Sequence, residues 1–199
     1  MVHVVHHQLA EVGMSYYQHQ SGCAHNPHLS FQQFHYPVDP VTHLTNKRGF
    51  FDHTAKELHR SRITNKPLSI LLLEIDFFDQ LEETRSPTDT KHLLQQASHI
   101  IRNNSNNADL PAYLQQGQFG VVMPNTNKDA ATWVGKHICQ DAKRQSHLPS
   151  FTISGGVAST HECACSDPAV LYDYADKRLF IAKSTGANHI STDELVMMH

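Results

Sequence analysis

Three stretches carry the side chains that could do chemistry. "LLLEIDFFDQ" places two carboxylates, Glu74 and Asp76, two residues apart at the end of an apolar run. At a strand end such carboxylates can be satisfied by backbone hydrogen-bond donors. "YLQQGQFGVVMP" surrounds a turn with small and apolar residues, as a β-hairpin does. Its turn residues, Gln115, Gln116, Gly117 and Gln118, supply no acid, base or nucleophile. "HECAC" brings together His161, Cys163 and Cys165, and a second His/Cys stretch near the start holds Cys23, His25 and His28. Thiolate and imidazole are the ligands zinc prefers, and four drawn from these stretches could close a tetrahedral site. Cys-x-Cys is tighter than the usual spacing, and nothing in the sequence joins the two stretches, so no metal is assigned to them.

Composition sets the frame for these residues. With 199 residues the chain can bury a full core and carry an appendage. Hydrophobic residues make up 39% and charged residues 18%, which suits a soluble globular protein. A net charge of −3 gives no reason to expect a nucleic-acid partner. The longest apolar run, "LSILLLEI", is too short for a membrane span, and no basic region followed by an apolar stretch marks a secretory signal. Four cysteines without a dense framework fit a reducing cytoplasm, which is the expected location. Seven of the 17 histidines precede residue 36, so residues 1–37 are read as a His/Gln-rich segment and 38–199 as a domain.

The elements that must position the chemistry follow from periodicity. "NKRGFFDHTAKELHRSRIT" predicts a helix behind a Thr/Asn cap, with Phe50, Phe51, Ala55 and Leu58 on one side. "LSILLLEI" predicts a buried strand bounded by Pro67. "TDTKHLLQQASHIIRNN" predicts a helix with Leu93, Leu94, Ala97, Ile100 and Ile101 inward. After the hairpin, "NKDAATWVGKHICQDAKRQ" predicts a helix burying Ala131, Val134, Ile138 and Cys139, and "SFTISGGVAST" a strand. "DPAVLYDYADKRLFIAKSTG" predicts a last helix capped by Asp167 and stopped at Gly186. Strands interleaved with helices and one hairpin predict an α/β sandwich with a mixed sheet.

The order of these motifs resembles the GGDEF domain family, the diguanylate cyclases and their inactive relatives, over about residues 39–190. "DPVTHLTNKRGFF" looks like the family's entry motif, "LLLEIDFFDQLEET" like its metal-bearing strand and following turn, "SFTISGGVA" like its Thr-x-Ser-x-Gly-Val-Ala strand, and "YADKRLFIAKSTGAN" like its closing helix. The signature falls on "QQGQF", residues 115–119. The resemblance implies a nucleotide-cyclase-like three-layer sandwich, with a central mixed β-sheet flanked by helices. In active members two GTP molecules, one on each subunit of a dimer, are joined with the help of divalent metal.

By resemblance the metal ligands map to Glu74 and Gly117, of which only the first has a carboxylate. The fourth signature position is Gln118, which cannot bind metal as an anion or take a proton. The two glycines that let nucleotide approach the backbone become Gln115 and Gln116. The phosphate-facing Lys becomes Asp79, the guanine-contacting pair becomes Glu82 and Lys91, and the Arg partner of the matching Lys183 becomes Ala187. In the family's product-binding Arg-x-x-Asp, Asp109 is present, but Asn106 replaces the Arg that supplies bidentate contacts. The bland readings are that Glu74 and Asp76 are strand-end carboxylates satisfied by backbone donors, that Lys183 faces a helix dipole, and that Phe77 and Phe78 are core and turn packing. The glutamines are read as a soluble hairpin tip, or as hydrogen-bonding a protein partner.

The expectation is therefore a vestigial nucleotide and metal site at Glu74, Asp76, Asp79, Gln115, Gln116, Gly117, Gln118 and Lys183, and a vestigial product site at Asn106 and Asp109. The expected role is a non-catalytic signalling or protein-interaction module in cyclic di-GMP-related regulation of a bacterial cell. It would need no cofactor and would work through a protein partner or a homodimer. Two alternatives stand beside it: a diguanylate cyclase using magnesium, and a receptor for GTP or cyclic di-GMP without turnover.

Overall fold

A computed structural model describes residues 36–145, 150–162 and 167–192. At its centre is β2 (Leu68–Ile75), hydrogen-bonded on both edges and buried on both faces. Two-sided burial is why its sequence reads as an unbroken apolar run rather than an alternation. Five further strands extend the sheet: β1 (Thr45–Asn46), β3 (Leu110–Gln115), β4 (Gln118–Pro124), β5 (Ile153–Ser159) and β6 (Ile190–Ser191). The order is β1-β3-β4-β2-β5-β6, with antiparallel pairs in the middle and a parallel pair at each edge. This is the mixed sheet expected.

Five described helices cover it: α1 (Lys47–Thr64), α2 (Phe78–Thr84), α3 (Pro87–Asn103), α4 (Lys128–Gln145) and α5 (Pro168–Ser184). The alternation along β2 assigns them to layers. Leu71, Leu73 and Ile75 pack with Leu93, Leu94, Ala97, Ile100 and Ile101 of α3 and with Ala131, Val134, Ile138 and Cys139 of α4. Leu68, Ile70 and Leu72 pack with Phe50 and Leu58 of α1 and with Leu171, Ala175 and Leu179 of α5. Helices on both faces of one sheet make the three-layer sandwich. Local signals set the helix starts. Asn46 accepts from the Gly49 amide at 3.0 Å, Ser86 from Asp89 at 3.2 Å, and Asp167 from Ala169 at 2.9 Å. The short helix α2, in a segment read as a turn, is an addition to the expected set.

The buried side of α1 differs from expectation. Ala55 is exposed, and His53, Thr54 and Glu57 are buried beside Phe50 and Leu58. Positions 50, 53, 54, 57 and 58 are one helical face, but polar residues hold three of them, which hides the periodicity. His53 lies edge-on to Tyr36, with ring centroids 5.9 Å apart. Burial, reinforced by the Lys56 charge, pushes its imidazole down to about 4. The unfolded chain therefore takes up this proton near the ordinary histidine value of about 6.5, where the folded protein does not. Stability is expected to fall as pH drops from about 6.5 to about 4, and urea unfolding of a His53→Leu variant should show a shallower slope over that window.

One ion network ties α5 to the sheet. Arg178, only 2% exposed, donates from Nη1 to the Val157 carbonyl at 2.6 Å and to Glu162 Oε2 at 2.8 Å. Its Nη2 donates to Glu162 Oε1 at 2.9 Å, and Lys128 Nζ donates to the same oxygen at 2.6 Å. Burial alone would push the Glu162 carboxyl up, but the hydrogen bonds from Arg178 and Lys128 outweigh it and hold it below its ordinary value. None of the helices among the described residues is long and apolar enough to cross a membrane.

Candidate functional site

The hairpin tip is set by backbone conformation. Gln116 has φ 46° and Gly117 φ 73°, the two left-handed residues that a tight two-residue turn demands. The Gly117 carbonyl accepts from the Ile75 amide at 3.1 Å, which docks the tip on the end of β2. A Cβ at position 117 would stand 2.5 Å from Phe78 Cγ. Glycine is favoured there on two counts, by its left-handed φ and because a Cβ would force the Phe78 ring to shift. Of the adjacent phenylalanines, Phe78 is core, whereas Phe77 is 64% exposed and has a left-handed φ of 58°. Core packing therefore describes only the second.

The two carboxylates at the end of β2, Glu74 within it and Asp76 just after it, have separate fates. Asp76 is buried, and its oxygens accept from Thr152 Oγ1 at 2.6 Å, Ser154 Oγ at 2.7 Å and the Asn188 amide at 3.0 Å. It joins β2 to β5 and to the chain after α5, using two hydroxyls besides the expected backbone donor. Glu74 lies opposite Gln118 on β4 and Ser154 on β5, and its Oε1 forms an ion pair with Lys183 Nζ. Lys183 does sit in the last turn of α5, where the dipole favours a cation, but its specific partner is this carboxylate.

Gln118 is held rather than free. Its Oε1 accepts from the Tyr172 hydroxyl at 3.0 Å, and its Nε2 reaches Asp176 Oδ1 at 3.5 Å. Burial pushes the Tyr172 hydroxyl up, with the Asp176 charge adding to it. Gln115, Gln116, Asp79, Glu82 and Lys91 are exposed. In the second region Asp109 is buried, and its Oδ2 accepts from the Asn106 amide at 2.8 Å. Burial pushes its carboxyl up against that hydrogen bond. It closes the loop before β3.

These residues do not fit a divalent magnesium ion. Such an ion wants several oxygen ligands, preferably carboxylates. Glu74 is already neutralised by Lys183, Asp76 is occupied by three donors, Gly117 has no side chain, and Gln118 is bonded to Tyr172. Among the described residues no group of three or more His, Cys, Asp or Glu could hold a metal. Of the zinc candidates His161 is described, while Cys23, His25, His28, Cys163 and Cys165 lie outside the described residues.

The family model described as diguanylate cyclase, GGDEF domain, matches residues 37–189. The chain belongs to the GGDEF domain family. Diguanylate cyclase A of Treponema denticola is 30% identical over 162 residues, covering 77% of this chain and 43% of that protein. The chain thus spans less than half the length of this relative. Among solved structures, the GGDEF domain of TpbB (YfiN) from Pseudomonas aeruginosa superposes with a TM-score of 0.73 at 22% identity, over 80% of this chain and 95% of that one. Diguanylate cyclase SiaD of the same organism, solved in complex with its activator SiaC, superposes with a TM-score of 0.68 at 18% identity, over 94% of this chain and 66% of that one.

The GGDEF fold brings most of the expected nucleotide-site residues to one end of the sheet. Glu74, Gly117, Gln118 and Lys183 are neighbours, and Asp76 lies just beyond. Tyr172 and Asp176 were not singled out from sequence, although their i, i+4 spacing on α5 puts them on one face. Thr152 and Ser154 were also missed, and their period-2 spacing in "FTIS" is the signal that both flank one strand neighbour.

Proposed function

We propose that this GGDEF domain is degenerate and non-catalytic, and that it serves as a signalling or protein-interaction module in cyclic di-GMP-related regulation in the cytoplasm. The observation that carries the reading is Gly117, which has no side chain and so places no carboxylate at the third signature position, beside the Phe78 ring at the end of β2. Of the two mapped metal-ligand positions only Glu74 keeps a carboxylate, and it is ion-paired with Lys183. Asn106, at the place of the Arg in the product-binding motif, has a neutral side chain that cannot provide a charge-assisted bidentate contact. The SiaD–SiaC complex makes protein control a reasonable mode for a chain of this fold.

The test is a thermal-shift panel on the full chain with Mg²⁺, GTP, GDP and cyclic di-GMP. A ligand that binds only the folded state stabilises it by about 2.7 kcal/mol at a hundred times its Kd, which is a readily measured rise in Tm. No rise is expected with any of the four. A rise with GTP and Mg²⁺ together would favour a cyclase, and one with GTP or cyclic di-GMP alone a receptor; either overturns the proposal.

A further inference from the structure

At the opposite end of β2 and β4 from the hairpin tip lies a second concavity. Leu68 pairs with Pro124 there, six residues from the Glu74–Gln118 pair, or about 20 Å along the strands. The cavity has a volume of about 450 Å³, within the range of small-molecule sites. Met123 and Val134 are among its apolar lining residues, and the exposed residues Asn106, Asn125, Asn127 and Trp133 line it as well. None of its lining residues carries a charge.

Trp133 is 62% exposed, a large apolar surface to leave in water. It is also held in place: the His137 ring backs it at a centroid distance of 3.8 Å, and His137 Nδ1 is hydrogen-bonded to the Trp133 carbonyl at 2.9 Å. The amides are partly committed. Asn127 Oδ1 accepts from the Ala130 amide at 2.9 Å, which leaves its NH₂ group to donate. Asn125 makes no side-chain hydrogen bond among the described residues, so its whole amide can both donate and accept.

We infer that this cavity is a binding site for a neutral saccharide, with a pyranose face on the Trp133 indole and ring hydroxyls on Asn125 and Asn127. The absence of charge in the lining disfavours phosphates and carboxylates, which would be desolvated without a counter-charge. Hydroxyls that donate and accept match amides that do the same. A fixed, backed indole presents an apolar face at little entropic cost. The site is separate from the hairpin tip, although Asn106, at the Arg position of the family's product-binding motif, is among its lining residues, which is why cyclic di-GMP is a competitor in the test.

Trp133 is the chain's one tryptophan, so its emission reports this cavity alone. The full chain is titrated with glucose, galactose, N-acetylglucosamine and maltose, and in parallel with adenosine, guanosine and cyclic di-GMP. At least one saccharide is expected to give a saturable emission change at low-millimolar concentration and to protect the indole from acrylamide. Asn125→Gly removes the amide and keeps a residue suited to the φ of 54° at that position; it should weaken binding about tenfold. Trp133→Phe, at an exposed position, keeps an aromatic face and should retain weakened binding by calorimetry. The inference is overturned if no saccharide gives saturable binding, if a nucleoside or cyclic di-GMP binds in place of the sugars, or if Asn125→Gly leaves saccharide affinity unchanged.

Discussion

Gly117→Asp, which writes the missing carboxylate back into the signature, is expected to damage the protein and to restore no activity. The new Cβ would meet Phe78 Cγ at 2.5 Å, and position 117 holds φ 73°. Overpacking a filled site costs about 1–3 kcal/mol, and a left-handed non-glycine residue adds strain of about 1 kcal/mol, less for Asp than for most residues. A loss of about 2–4 kcal/mol in urea unfolding is the expected result. Because the two residues touch, their effects should not add. Phe78→Ala combined with Gly117→Asp should cost less than the sum of the single changes, since alanine removes Cγ and Cδ2, the two atoms nearest the new Cβ. A Gly117→Asp protein as stable as the parent would remove the packing argument at position 117.

Glu162→Ala is expected to cost about 3 kcal/mol, at the lower end for a broken buried pair because the Glu162 side chain is 19% exposed. The substitution leaves the Arg178 guanidinium, 2% exposed, on the Val157 carbonyl without its carboxylate. The pH dependence separates this from a packing loss. Glu162 has a folded value below its ordinary one, so its stabilisation is present above about 4.5 and is lost as pH falls through the lower folded value. The difference in unfolding free energy between parent and variant should be full at neutral pH and should shrink in acid. A difference that stays constant with pH would assign the loss to packing.

The two predictions also mark where sequence reading stops. The faces of α3 and α4 were legible because their apolar residues recur at i, i+3, i+4 and i+7, and the caps at Asn46 and Asp167 are short-range chemistry. The Gln-Gly turn was legible as a hairpin from its flanks. Residues whose partners lie far along the chain were not. Asp76 meets Thr152, Ser154 and Asn188, and Glu74 meets Lys183, across separations of 76 to 112 residues that no local pattern encodes. On α1 the buried face was misread at Ala55 because His53, Thr54 and Glu57, polar by type, occupy it. Gly117 shows both limits together. Its lack of a carboxylate is plain in sequence, while the Phe78 ring packed against it is visible only in the fold.

The most direct measurement of the central claim is product formation. The full chain, at high concentration, is incubated with GTP and Mg²⁺ or Mn²⁺, and cyclic di-GMP is sought by chromatography with mass detection. The account predicts no product above the protein-free control. Cyclic di-GMP that rises with time and protein concentration, and disappears in the Glu74→Ala variant, would contradict it.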